Sequence, residues 1–120
     1  MSDPNFILLY VESPAESVRF YADLLGKPPV EESPTFAMFA LESGVMFGLW
    51  AASTVEPKAG RPGGSEVAFA VGGKDAVRIT HDAWAAKGIV IAQAPTTMDF
   101  GYTFVALDPD GHRLRVFAPG

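Results

Sequence analysis

Apolar and polar positions alternate in short blocks along this chain, and the blocks come in an order that occurs twice. Phe6-Ile7-Leu8-Leu9-Tyr10-Val11 is a continuous apolar run whose length and polar flanks predict a buried strand. Ser13-Pro14-Ala15-Glu16 then reads as a helix start. Ser suits the cap, Pro the first helical position, and Glu can return a bond to the cap. The helix runs to about Leu25 with Val18, Tyr21, Leu24 and Leu25 as its apolar stripe, and Gly26 with Pro28 and Pro29 stops it. Three strands follow, near Val30 to Ser33, Thr35 to Leu41 and Val45 to Ala51, the last two joined by a Glu42-Ser43-Gly44 turn. Residues 53–64, rich in Pro, Gly and charge, read as a linker.

The order then repeats. Glu66 to Val71 reads as a strand and Lys74 to Lys87 as a helix ended by Gly88. Ile89 to Ala94, Tyr102 to Leu107 and Arg113 to Phe117 read as strands, the last two joined by Asp108-Pro109-Asp110-Gly111. The chain is β-α-β-β-β twice over, so Phe6 aligns with Glu66, Gly48 with Arg115 and Trp50 with Phe117. The alternative is a generic α+β domain with helices on one sheet face. The duplicated reading makes residues 1–120 one domain of two modules, about 4–52 and 65–120.

Composition narrows the chemistry. A net charge of −5 disfavours nucleic acid and anionic membrane surfaces. With no cysteine there is no disulfide, thiolate metal site or Cys nucleophile, and cytoplasm becomes the expected location. The N-terminus lacks a basic flank and its apolar run is too short for a signal peptide or a membrane span, so the mature chain is expected to start here.

The strand-to-helix passage Tyr10-Val11-Glu12-Ser13-Pro14 into Ser17-Val18-Arg19-Phe20-Tyr21-Ala22-Asp23-Leu24-Leu25-Gly26, with Phe104-Val105-Ala106-Leu107-Asp108-Pro109-Asp110-Gly111-His112-Arg113-Leu114-Arg115-Val116 at the end, resembles the vicinal oxygen chelate superfamily. That superfamily contains glyoxalase I, extradiol dioxygenases, and fosfomycin and bleomycin resistance proteins. The resemblance implies an α+β fold of two βαβββ modules whose mixed sheets curl into a cup. It also implies pairing of modules within a chain or between the subunits of a homodimer.

Its enzymes hold a divalent metal with His, Glu or Gln on the inner faces of four strands. The resemblance places those positions at Phe6, Gly48, Glu66 and Arg115. Phe and Gly bring no donor, Arg repels a cation, and a single carboxylate does not make a site that needs three or four ligands. A register one residue off offers Ile7, Leu49, Val67 and Val116, all apolar. His81, mid-helix, and His112, in the turn, read as ordinary surface histidines. No cofactor is therefore expected, and the balance leans away from an enzyme. Glu66 and Arg115 could instead pair with each other; the alternative is that Arg115 reaches solvent or a dimer interface.

Alternation predicts what lines the cavity. Phe6, Leu8 and Tyr10, then Met46, Gly48 and Trp50, then Arg113, Arg115 and Phe117 face inward; Phe36 and Met38 join them, with Phe100, Tyr102 and Phe104 from the last hairpin. Gly48 leaves room on the floor for a ring, and Trp50 is the leading candidate for a stacking platform. Phe20, Phe39 and Phe69 are expected to pack in the core, and Trp84 to be structural or at an edge.

Phe36-Ala37-Met38-Phe39-Ala40-Leu41 followed by Gly48-Leu49-Trp50, with Met98-Asp99-Phe100-Gly101 later, resembles the phenazine-antibiotic-resistance type, which binds a planar aromatic compound without metal or turnover. The expected function is metal-free sequestration of a small aromatic ligand. The alternatives are a metal-dependent lyase or dioxygenase, a metal-free isomerase, or an interaction module with no small ligand.

Overall fold

Local chemistry starts and stops the helices. Ser13 has extended backbone, and its hydroxyl accepts from the Glu16 N–H at 3.2 Å, which caps α1 (Pro14–Leu25). Gly26, at φ 70°, ends it in the left-handed conformation that glycine adopts without strain. The helix buries Pro14, Ser17, Val18 and Tyr21, while Leu24 and Leu25 are only half-buried. The computed structural model describes residues 2–119.

The chain divides between Arg61 and Pro62 into two compact units. In the first, β1 (Phe6–Val11), β2 (Glu31–Glu32), β3 (Phe36–Ala40) and β4 (Met46–Ala51) form a sheet ordered β1-β4-β3-β2. β1 and β4 are parallel and the other pairs antiparallel. A parallel pair needs a crossover, and α1 lies within it. One sheet face is buried with the helix: Tyr21 stacks edge-on to Phe47 at 4.8 Å, and Val11, Ala37, Phe39 and Leu49 are fully buried. Fully burying a side chain of this size is worth about 1.5–3 kcal/mol. Ile7, on the same face near the start of β1, stays exposed.

The second unit repeats the plan with β5 (Glu66–Ala70), α2 (Lys74–Ala86), β6 (Ile91–Met98), β7 (Gly101–Leu107) and β8 (Arg113–Pro119), ordered β5-β8-β7-β6. The repeat holds at the level of register. Leu8 pairs with Gly48 and, sixty residues on, Ala68 pairs with Arg115; Tyr10–Trp50 answers to Ala70–Phe117 in the same way. Under α2, Trp84 packs edge-on to Phe69 and Phe104, so Trp84 is core.

Three elements differ from the sequence expectation. β2 is two residues long. β8 continues to Pro119. β6 runs through Pro95 to Met98 instead of ending at Ala94. β6 is an edge strand, where a residue without an N–H is tolerated, and two register shifts between Ile91 and Thr96 absorb the irregularity. No helix among the described residues is long and apolar enough to cross a membrane.

Candidate functional site

The face of the first sheet turned away from α1 is apolar. β1 contributes Phe6, Leu8 and Tyr10, β4 contributes Met46, Gly48 and Trp50, and β3 contributes Phe36, Met38 and Ala40, in cross-strand rows. Phe6, Leu8 and Tyr10 are 54%, 44% and 39% exposed, whereas Leu9 and Val11 between them are buried. Tyr10 meets Trp50 edge-on at 6.1 Å. On β1, β4 and β3 no charged residue stands in these rows, and Glu31 of β2 closes the row of Met38 at the sheet edge.

The room expected over Gly48 is taken up from within the sheet. A Cβ there would meet Leu8 Cδ2 at 2.7 Å and the Phe36 ring at 3.0 Å. The missing side chain lets Leu8, its partner on β1, and Phe36, diagonal to it on β3, close over the strand, so the ring above Gly48 is the protein's own. Trp50, half-buried at the edge of this patch, keeps a partly accessible ring.

The corresponding face of the second sheet is polar. Arg115 donates from Nε to Glu66 Oε1 at 2.8 Å and from Nη2 to Oε2 at 3.0 Å, a bidentate pair. Its Nη1 donates to Thr103 Oγ1 at 3.2 Å and Gln93 Oε1 at 3.3 Å, with Met98 Sδ at 4.0 Å. The Thr103 hydroxyl in turn donates a hydrogen bond to the Val116 carbonyl at 2.8 Å. All the guanidinium nitrogens are engaged, and the Arg115 side chain is 15% exposed. The hydrogen bonds from Arg115, and then the charges of Arg115 and Arg113, hold the Glu66 carboxyl below the ordinary glutamate value, against an opposing contribution from burial. Arg113 Nη1 stands 3.8 Å from the same carboxylate. Phe100 lies against this cluster, its ring centre 5.7 Å from the Arg115 guanidinium carbon and 5.9 Å from the Phe117 ring.

Thus Glu66 and Arg115 pair with each other, one of the two arrangements that the sequence left open. Phe6, Gly48, Tyr10, Trp50, Phe36 and Met38 share one face of the first sheet, and Phe100 lies beside Arg115 in the second unit. Two residues assigned to the cavity do not belong there. Phe104 pairs with Val116 on the helix face, is fully buried, and stacks against Trp84 and His81. Tyr102 pairs with Ala118 on that same face, under Lys74 and Arg78 of α2 at 5.6 and 5.2 Å. Val105 is the partner of Arg115, so the odd-numbered residues of β7 share the open face and the even-numbered ones turn to the helix.

The residues at the superfamily's metal positions do not fit a metal. Phe6, Gly48 and Arg115 offer no ligand atom, and both oxygens of Glu66 are held by Arg115. Among the described residues there is no group of three or more His, Asp or Glu side chains that could form such a site. His81 is less of a surface residue than expected, since its ring lies 5.3 Å from Phe104 while Nδ1 contacts Asp82. The His112 N–H donates to Asp108 Oδ1 in the final turn.

Sequence reasoning missed Gln93 and Thr103. Regular pairing from Ile91–Ala106 would set Gln93 opposite Phe104; the register shift after Ile91 pairs it with Val105, beside Arg115. A cavity of about 230 Å³ lies here, lined by Ala92, Gln93, Val105, Arg113 and Arg115. A second, of about 480 Å³, lies in the loop after β4 among Ala52, Ser53, Val55, Glu56, Lys58, Ala59 and Gly60, with no ring in its lining.

Comparison with known proteins agrees with this architecture. The family model for the Glyoxalase/Bleomycin resistance protein/Dioxygenase superfamily matches residues 4–116. The phenazine antibiotic resistance protein EhpR of Enterobacter agglomerans is 33% identical over 116 residues, 94% of this chain and 89% of the relative. A protein from Agrobacterium tumefaciens solved by solution NMR is 50% identical with a TM-score of 0.92, over 100% of this chain and 99% of that one. A glyoxalase-related enzyme from Fulvimarina pelagi, 22% identical, covers 98% of this chain and 88% of its own with a TM-score of 0.85, a likeness of fold alone.

Proposed function

This chain belongs to the Glyoxalase/Bleomycin resistance protein/Dioxygenase superfamily, and from that premise we propose that it binds a small planar aromatic compound without metal and without turnover, in a resistance-type role of sequestration. The observation that carries the reading is the ring-bearing face of the first sheet, where Phe6, Tyr10, Phe36 and Trp50 share a surface with Leu8 and Met38 and several of them stay exposed. Offset stacking on such rings adds about 0.5–1.5 kcal/mol per pair beyond the area buried. The relative named for phenazine antibiotic resistance supports the ligand class. The metal-dependent lyase or dioxygenase alternative needs ligand atoms that Phe6, Gly48 and Arg115 do not have.

Tryptophan fluorescence tests the proposal directly. Trp84 is buried against Phe69 and Phe104, so quenching by an added phenazine reports mainly on Trp50. Saturable quenching at one equivalent per chain is expected, with affinity reduced about five- to tenfold in Trp50→Ala, as read by calorimetry. Unchanged affinity in that variant removes Trp50 from the site. Stoichiometric zinc, nickel or iron in the purified protein overturns the metal-free reading.

A further inference from the structure

In a regular strand Gln93 and Met98, an odd number of positions apart, would face opposite sides. The register shift between Gln93 and Thr96 reverses the parity. Gln93 pairs with Val105 and Met98 with Gly101, both odd-numbered residues of β7 and so both on the open face. The two side chains therefore meet Arg115, whose Nη1 lies 3.3 Å from Gln93 Oε1 and 4.0 Å from Met98 Sδ.

This arrangement orients the Gln93 amide. A guanidinium has donors and no acceptor, so it draws the amide oxygen toward itself. The amide nitrogen is then turned to the sulfur, with Nε2 3.7 Å from Met98 Sδ. One thioether thus faces N–H donors from two side chains, although it is itself only a weak acceptor. Both separations exceed the ~2.7–3.2 Å of an N–H···O bond, so an oxygen carried on that sulfur fits between it and the donors. Met98 is also accessible. It is 41% exposed and ends an edge strand, whereas Met38 and Met46 are half-buried. Sulfoxide formation ordinarily disrupts packing because it makes an apolar side chain polar. Here the new oxygen finds donors already in place.

We propose that Met98 is a reversible oxidation site whose sulfoxide oxygen is held by Gln93 and Arg115, so that oxidation tightens the second unit. The oxidant is hydrogen peroxide. The sulfur lone pair attacks one peroxide oxygen, and the O–O bond breaks as the S–O bond forms. The proton on the transferred oxygen leaves with the departing hydroxide as water; sulfur loses two electrons and the peroxide gains them. Methionine sulfoxide reductases reverse the change. All the residues involved belong to the second unit, and the inference is independent of the aromatic-ligand reading.

The test exposes wild type, Gln93→Leu and Met98→Leu to hydrogen peroxide at pH 7. Peptide mass spectrometry follows oxidation at each methionine, and calorimetry gives the melting temperature at a dose that oxidises Met98 alone. Met98 is expected to gain one oxygen at least about threefold faster than Met38 and Met46, in line with its exposure. The wild-type melting temperature should hold or rise on oxidation. The shift on oxidation should be about 4 °C less favourable in Gln93→Leu, the effect of one missing hydrogen bond. Met98→Leu should show no shift at the same dose, and a sulfoxide reductase should return the wild type to its starting mass and melting temperature. Each protein is compared with its own untreated form, so a lower starting stability of Gln93→Leu does not enter, and Gln93→Ala repeats the comparison with a smaller side chain. Oxidation of Met38 or Met46 as fast as Met98 overturns the proposal. So does a wild-type melting temperature that falls as far as that of Gln93→Leu, a shift that persists in Met98→Leu, or a change that the reductase does not reverse.

Discussion

The Glu66–Arg115 pair makes a quantitative prediction about the second unit. The perturbation is a double-mutant cycle of Glu66→Gln, Arg115→Met and the double variant. The two hydrogen bonds measure 2.8 and 3.0 Å, and the side chains are 29% and 15% exposed. That places the pair between a surface ion pair, worth about 0–1 kcal/mol, and a buried one, where loss of a partner costs about 3–5 kcal/mol. A coupling energy of about 2 kcal/mol is therefore expected. Arg115→Met also loses the contacts to Gln93 and Thr103, but the cycle cancels them, because they are absent from both variants that lack the arginine. At about 2.1 cal/mol/K per residue, a chain of 120 residues has an unfolding entropy near 250 cal/mol/K, so 2 kcal/mol corresponds to about 8 °C in melting temperature.

Equilibrium urea unfolding at pH 7 measures the cycle, and its pH dependence checks the cause. The folded-state pKa of Glu66 is held below the ordinary value of about 4.5, so the carboxylate's contribution is fully present above that pH and is lost as the pH falls through the folded value. Coupling should be the same at pH 6 and pH 8 and should decline below about pH 4.5. A coupling under about 0.5 kcal/mol at pH 7, or one that grows on acidification, would refute the reasoning.

Two glycines should respond in opposite ways to alanine. At Gly101, φ is 147° and a Cβ would collide with the Ala118 backbone carbonyl, so Gly101→Ala should cost about 3 kcal/mol or more and lower the melting temperature by more than 10 °C. At Gly48 the obstructing atoms are the ends of Leu8 and Phe36, which can swing outward. Gly48→Ala should therefore stay within about 1 kcal/mol of wild type while changing ligand affinity, as unfolding and calorimetry on one preparation would show. In the last turn, Asp108 Oδ1 accepts from the N–H groups of Asp110 and His112, both at 2.9 Å, and the residue is 5% exposed. Asp108→Ala should cost about 1–3 kcal/mol, with hydrogen exchange at the two amides rising more than elsewhere in β7 and β8.

Much of this protein could be read from local pattern. The cap at Ser13 and the stop at Gly26 rest on contacts within a few residues, so they are visible in the letters. The same holds for the order of elements and for its repetition. Alternation along β1 and β4 placed Phe6, Tyr10, Gly48 and Trp50 on one face, because in a regular strand parity alone decides the side. The poverty of metal ligands at Phe6, Gly48, Glu66 and Arg115 is likewise a property of residue types. Cross-strand register lies beyond local pattern, since it is set by partners dozens of positions away. Register turned Tyr102 and Phe104 to the helix and put Val105 next to Arg115. An edge bulge in β6, which no pattern of letters around Pro95 announces, aimed Gln93 at the guanidinium. Packing, finally, let Leu8 and Phe36 close over Gly48. Sequence determined the modules and the chemistry each could carry; the tertiary structure decided which side chains meet, because a one-residue shift in pairing exchanges the two faces of a strand.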